Sequence, residues 1–143
     1  MKKIVALLIV MFFIIGCASN RATATKSPGM DISKYRSFYI AEEQGDKGTG
    51  NIYKLIELNL VKRGYTVTTG TEIKPSYKPD VIIIYASRWV WDIRSYLLEL
   101  TITLIDPTSN LPVARGNSFH TSLTRLSAEE MVGEVLVNIL NAK

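Results

Sequence analysis

Val81 to Tyr85 reads Val-Ile-Ile-Ile-Tyr, apolar at every position. A strand with one wet face would alternate, so this run suits a central strand covered on both sides. Extended to Arg94, the strand would place Trp89, Trp91 and Ile93 on one face and Arg88, Val90 and Asp92 on the other. Ser95 to Ile105 alternates more cleanly: Tyr96, Leu98, Leu100, Ile102 and Leu104 point one way, Leu97, Glu99, Thr101 and Thr103 the other. Two such segments in succession demand a sheet, and its apolar face needs another layer to cover it.

The flanking sequence supplies that layer. Tyr35–Ala41 is aromatic and β-rich and predicts a first strand. Asn51 is placed to cap a helix over residues 52–63, with Ile52, Leu55, Ile56 and Leu60 on one face. Gly64 stands at the C′ position, with Tyr65 beyond it able to cover Leu60. Residues 65–69 form a short strand, and Thr71–Pro79 is a loop broken by Pro75 and Pro79. Residues 106–110 make a turn and 113–123 a last strand. Ser127 and Glu130 spell a capping box, with Leu126 and Met131 as its hydrophobic staple, before a helix through Val132, Val135, Leu136, Ile139 and Leu140. The expected fold is therefore α+β: a mixed, mostly antiparallel sheet of about five strands with two helices, in the order β-α-β-β-β-β-α.

The chain begins with Lys2 and Lys3, twelve apolar residues from Ile4 to Ile15, then Gly16 and Cys17. A charged start, a short apolar core and a small residue before the cut describe a secretory signal peptide. A membrane span needs about 20 apolar residues, more than this run supplies. Ile14-Ile15-Gly16-Cys17 resembles the lipobox of bacterial lipoproteins. That resemblance implies cleavage after Gly16, a diacylglyceryl thioether on Cys17 and acylation of its new amino group, giving diacylglycerol and palmitate-type chains. Two or more chains make a stable anchor. Residues 1–16 are then the signal, and 17–31 the lipidated cysteine with a flexible tether. The fourteen residues from Ala18 to Asp31 would reach on the order of 20 Å as a coil. Residues 32–143 form a single domain. In such lipoproteins an aspartate after the cysteine favours inner-membrane retention; Ala18 stands there, which implies the outer membrane, periplasmic side.

Further pieces carry a second resemblance. Tyr35-Arg36-Ser37-Phe38, Leu60 through Gly64-Tyr65, Lys78-Pro79-Asp80 before an apolar strand, Leu104-Ile105-Asp106-Pro107-Thr108 and Val113-Ala114-Arg115-Gly116 together resemble an uncharacterised envelope-lipoprotein domain family. The resemblance spans roughly residues 31–140 and implies fold and location.

Composition narrows the chemistry. The formal charge of +4 includes Lys2 and Lys3, and no block of like charge follows, so no nucleic-acid partner is expected. Cys17 is the only cysteine and excludes disulfides and thiolate sites in the domain. Gly45-Asp46-Lys47-Gly48-Thr49-Gly50 has phosphate-loop glycines, but Asn51 and Ile52 stand where Walker A needs Lys and Ser or Thr. His120 is the only histidine, with Asp106 and Glu99 as scattered carboxylate candidates. No metal site or cofactor is expected.

The residues that point to recognition are Arg88, Trp89, Trp91 and Arg94, since Trp and Arg are enriched where proteins meet partners. The competing reading buries the tryptophans beneath a helix. The expectation is a non-enzymatic, membrane-anchored binding or assembly module, with an envelope protein or a second copy as partner. The alternative is a small envelope hydrolase or transferase using His120 with a carboxylate.

Overall fold

The structure, a computed structural model, describes residues 21–42 and 51–142; the expected signal segment, Cys17 and the Gly45–Gly50 loop lie outside them. Six strands and two helices follow in order: β1 (Arg21–Lys26), β2 (Ser37–Ala41), α1 (Ile52–Lys62), β3 (Thr66–Gly70), β4 (Val81–Asp92), β5 (Arg94–Ile105), β6 (Pro112–Phe119) and α2 (Ala128–Leu140). One sheet contains all six strands, in the spatial order β1-β6-β5-β4-β2-β3. β2 runs parallel to β3 and β4, and the other three pairings are antiparallel. The class is α+β, with one strand more than expected.

The additional strand is β1, and it corrects the reading of residues 17–31 as a tether. Arg21–Lys26 pairs antiparallel with β6 from Arg21↔Phe119 to Lys26↔Ala114. β6 would otherwise be an edge with unpaired amides, and Arg-Ala-Thr-Ala-Thr-Lys has the alternation to cover it. Ala24 packs against the core beside Gly116, its partner in register.

β4 is central, between β2 and β5, as its apolar run requires. Val81 and Ile83 are fully buried on the face that both helices cover, joined by Phe38, Ile40, Leu100, Ile102 and Leu104. Ile52, Ile56 and Leu60 from α1 and Met131, Val132, Val135, Leu136 and Ile139 from α2 complete this core. On the opposite face Tyr39, Ala41 and Ile82 form a second, smaller cluster. The 71–80 loop folds against it: Tyr77 meets Tyr39 edge to face, and the Tyr39 hydroxyl donates to the Glu72 carbonyl at 2.7 Å. Tyr77 also bonds Thr68 through their hydroxyls. That is why Val81–Ile83 can be apolar on both sides, while Ile84, further along, is exposed.

The helix ends are set by local chemistry. Gly64 has φ +88°, its amide donates to the Val61 carbonyl, and the Tyr65 amide donates to the Leu60 carbonyl. These bonds form a Schellman C-cap, and Tyr65 stacks edge-on against Phe38 with ring centres 4.9 Å apart. Ser127 and Glu130 make the reciprocal capping box at the start of α2. The cap at Asn51 departs from expectation. Its side chain makes no capping bond; φ is +46° and its carbonyl accepts from the Lys54 and Leu55 amides. Asn51 serves there as a residue that tolerates the left-handed region.

Asp80 ties two strands together. Its Oδ2 accepts the Arg36 and Ser37 amides at 2.8 and 2.9 Å, and its own amide donates to Ser37 Oγ at 2.9 Å. Parallel strands β2 and β4 are thereby registered at their first residues. The Arg36 amide, then the Ser37 amide, hold the Asp80 carboxyl below its ordinary value of 3.8.

Candidate functional site

β4 and β5 are the longest strands, twelve residues each, and form a hairpin closed at Ile93 between the paired Asp92 and Arg94. β6 ends at Phe119, opposite Glu99, so the outer half of this hairpin extends past its neighbour. The strand expected over 113–123 therefore stops early. A 3-10 turn at Ser122–Thr124 follows, and the 120–125 segment lies along the hairpin. The His120 amide donates to the Leu98 carbonyl at 3.0 Å. Arg125 donates to the Asp92 carbonyl and carboxylate at 3.2 and 3.0 Å, and its guanidinium lies 4.2 Å from the centre of the Tyr96 ring.

A β-bulge changes the expected facing. Arg88 pairs with Glu99 and Trp89 with Leu97, leaving Leu98 as the extra residue. The alternation resets there, and Leu97, expected on the far face, joins the core at 1% exposure. Trp89 is half-buried against the same core, and its indole Nε1 is buried with no hydrogen-bond partner.

Trp91 and Ile93 do not share that environment; they are 79% and 87% exposed. Trp89 thus packs against the core, while Trp91 does not. Ile93 occupies the left-handed region at φ +62°, rare for a β-branched residue. Arg88 bonds Glu99 across the strands at 2.9 Å, with Glu99 also accepting from Asn117 at 3.0 Å. Arg94 lies beside the turn, exposed and outside any ion pair among the described residues. Leu123 adds a third large apolar side chain at 86% exposure. The expected set of Arg88, Trp89, Trp91 and Arg94 is thus collected on one hairpin, with Trp89 as its inner support.

His120 is elsewhere in character. It is 5% exposed, and its Nε2 donates to Glu134 Oε2 at 3.0 Å. Ser118, fully buried, donates to the same oxygen at 2.5 Å. The carboxylate partner is therefore Glu134 on α2, not Asp106 or Glu99. Asp106 instead closes its own turn by accepting from the Thr108 and Ser109 amides, and Glu99 faces Arg88. A nucleophilic serine needs its hydroxyl on the histidine. Here serine and histidine both donate to one carboxylate oxygen, which satisfies two buried donors and fastens α2 to β6. His120 Nδ1 is buried and without a hydrogen-bond partner. Two surface hollows among the described residues lie away from this cluster: one of about 320 Å³ borders Ile32, Arg63, Tyr65 and Leu140, and one of about 60 Å³ borders Leu55, Asn59 and Glu129.

Among the described residues no group of three or more His, Cys, Asp or Glu side chains could hold a metal ion. No helix among them is long and apolar enough to cross a membrane.

No protein-family model and no curated protein matches the sequence. Solved structures do share the fold. A PelC dodecamer from Paraburkholderia phytofirmans superposes with a TM-score of 0.61 at 15% identity, covering 85% of this chain and 99% of that one. A leucine-to-methionine variant of that PelC, also a dodecamer, gives 0.58 at 16% identity over 87% and 100%. A PDZ domain protein from Parabacteroides distasonis gives 0.52 at 12% identity, over 91% of this chain but 37% of that one. At these identities the likeness is one of fold: the chain has the α+β architecture of the PelC protomer over nearly the whole of that protein's length.

Proposed function

We propose that the protein is a lipid-anchored component of the cell envelope that works by contact rather than catalysis. In this reading it is a binding or assembly module held through Cys17 on the periplasmic side of the outer membrane. The observation that carries it is the hairpin: a two-stranded arm outruns the rest of the sheet and ends in exposed Trp91 and Ile93. Aromatic residues beside arginines are the composition of contact surfaces. The Ser118–His120–Glu134 cluster supports the same reading, since its donors are spent on holding α2. The PelC structures are dodecamers, which favours assembly with further copies as one form this function takes.

Acyl-probe labelling in cells should mark the wild type and leave Cys17→Ser unmarked. Crosslinking in isolated envelopes should recover the wild type in a complex, with itself or with another protein. Undiminished label on the variant would sink the anchor. A species that never crosslinks would sink the assembly role.

A further inference from the structure

We infer that the end of the β4–β5 hairpin, with the turn at Ser122–Thr124, rests on the surface of the bilayer that holds the chain. This rests on the lipid-anchor reading above. The register of the sheet supplies the argument. Arg21 pairs with Phe119, Phe119 with Glu99, and Glu99 with Arg88, so these four residues form one row across the sheet. β1 enters the sheet at this row and runs away from it. β4 crosses the row in the opposite sense and continues to the hairpin end. Arg21, four residues after Cys17 in sequence, is therefore the end of β1 that lies toward the projecting hairpin.

The lengths agree. Ile93 lies five residues beyond Arg88, about 16 Å at the rise of a strand. Cys17 is four residues before Arg21, and four residues span at most about 14 Å. A cysteine carrying acyl chains sits at headgroup level. With the strands upright on the membrane, so short a leash cannot lift the hairpin end clear of the lipid. Any bend in those four residues draws it closer.

The chemistry of this end suits that occupant. Trp91, Ile93 and Leu123 are its exposed apolar side chains, and indoles are favoured at the membrane–water boundary. Arg94 and Arg125 lie at this end with Asp92, while Arg21, Arg88 and Glu99 lie in the row behind it. Two of the arginines neutralise those carboxylates, which leaves Arg21 and Arg94 as net positive charge for anionic headgroups. The contact surface of the proposed function is then, at this end, a surface for lipid.

The test uses the full, acylated chain reconstituted into vesicles of phosphatidylethanolamine and phosphatidylglycerol, some with brominated acyl chains. Bromolipid should quench the tryptophan emission, and Trp91→Phe should lose most of that quenching, because the remaining Trp89 is tucked against the core. Access of acrylamide to Trp91 should fall on reconstitution. Mass spectrometry establishes the acyl chains on the same sample. An acylated protein whose Trp91 ignores the bromolipid overturns the inference and leaves the anchor standing. If acrylamide is excluded without bromolipid quenching, Trp91 is covered by protein instead, and the inference falls. An unacylated mass removes the anchor reading, and the membrane placement with it.

Discussion

Gly116 is where the two layers of the domain come nearest. It lies on β6 facing α2, paired with Ile102 on one side and Ala24 on the other. A Cβ added there would lie 2.7 Å from Ile139 Cγ1, 2.8 Å from Val135 Cγ1 and 2.9 Å from Ile139 Cδ1. Favourable carbon contacts lie at about 3.5–4.0 Å, so Gly116→Ala must push the helix or those side chains away by about 0.8 Å or more at the nearest contact. Both residues are fully buried, and Val135 has no rotamer that withdraws both methyls at little cost. Overpacking of this kind costs about 1–3 kcal/mol, while the lost glycine freedom of the unfolded chain returns about 0.4–1 kcal/mol. The expected net loss is on the order of 1–2 kcal/mol, read from urea unfolding followed by circular dichroism. Val135→Ala opens space at the clash, so the double variant should be less destabilised than the sum of the single changes, by about 0.5 kcal/mol or more. A single variant as stable as wild type, or strict additivity in the pair, would refute the claim that helix and sheet touch at Gly116.

Gly64→Val should destabilise the protein by more than about 1 kcal/mol through backbone strain alone, because φ is +88° and no atom lies within 4 Å of the added Cβ; Gly64→Asn, able to adopt that conformation, should cost less, and equal unfolding midpoints for the two would contradict the cap. Asp80→Asn tests the strand clamp by pH. A carboxyl held below 3.8 in the fold adds stability at neutral pH, which is lost as pH falls from about that value through the lower folded one. The variant should be less stable at pH 7 and should lose less between pH 4 and 2 than the wild type, and parallel acid limbs would exclude the clamp.

What could be read from the sequence was what neighbours in the chain decide. Gly64 and the Ser127–Glu130 box are complete within a few residues, so their geometry followed from spelling. The apolar run at Val81–Ile83 announced a covered strand because side chains on both faces must be buried wherever the partners come from. Arg21–Lys26 gave a weaker sign: its small and polar residues make a strand only because β6 offers an edge about 90 residues later. The bulge at Leu98 left no local mark, since an apolar residue beside another leucine fits either register, and it reversed the expected facing of Leu97. Glu134 was missed for a similar reason. On its own helix it looks like an ordinary polar position, and only the packing of α2 across β6 brings it to Ser118 and His120. For Trp91 the sequence left two readings open, contact residue or core, because an aromatic beside apolar neighbours suits both; its exposure follows from its place near the end of a hairpin that extends past β6.

The place of β1 also sets an order of events. β4 and β5 are joined by a turn and can pair as soon as both exist, whereas the contact of Thr25 with Arg115 closes a separation of 90 residues. Closing a loop of that size rather than one of about ten residues costs roughly 2 kcal/mol more in chain entropy. The first strand to be synthesised is thus among the last to find its place, and until then β6 is a bare edge. A version of this protein trimmed to begin at Ile32 would keep that edge open permanently, and its tendency to aggregate would rise for a reason unrelated to the stability of its core.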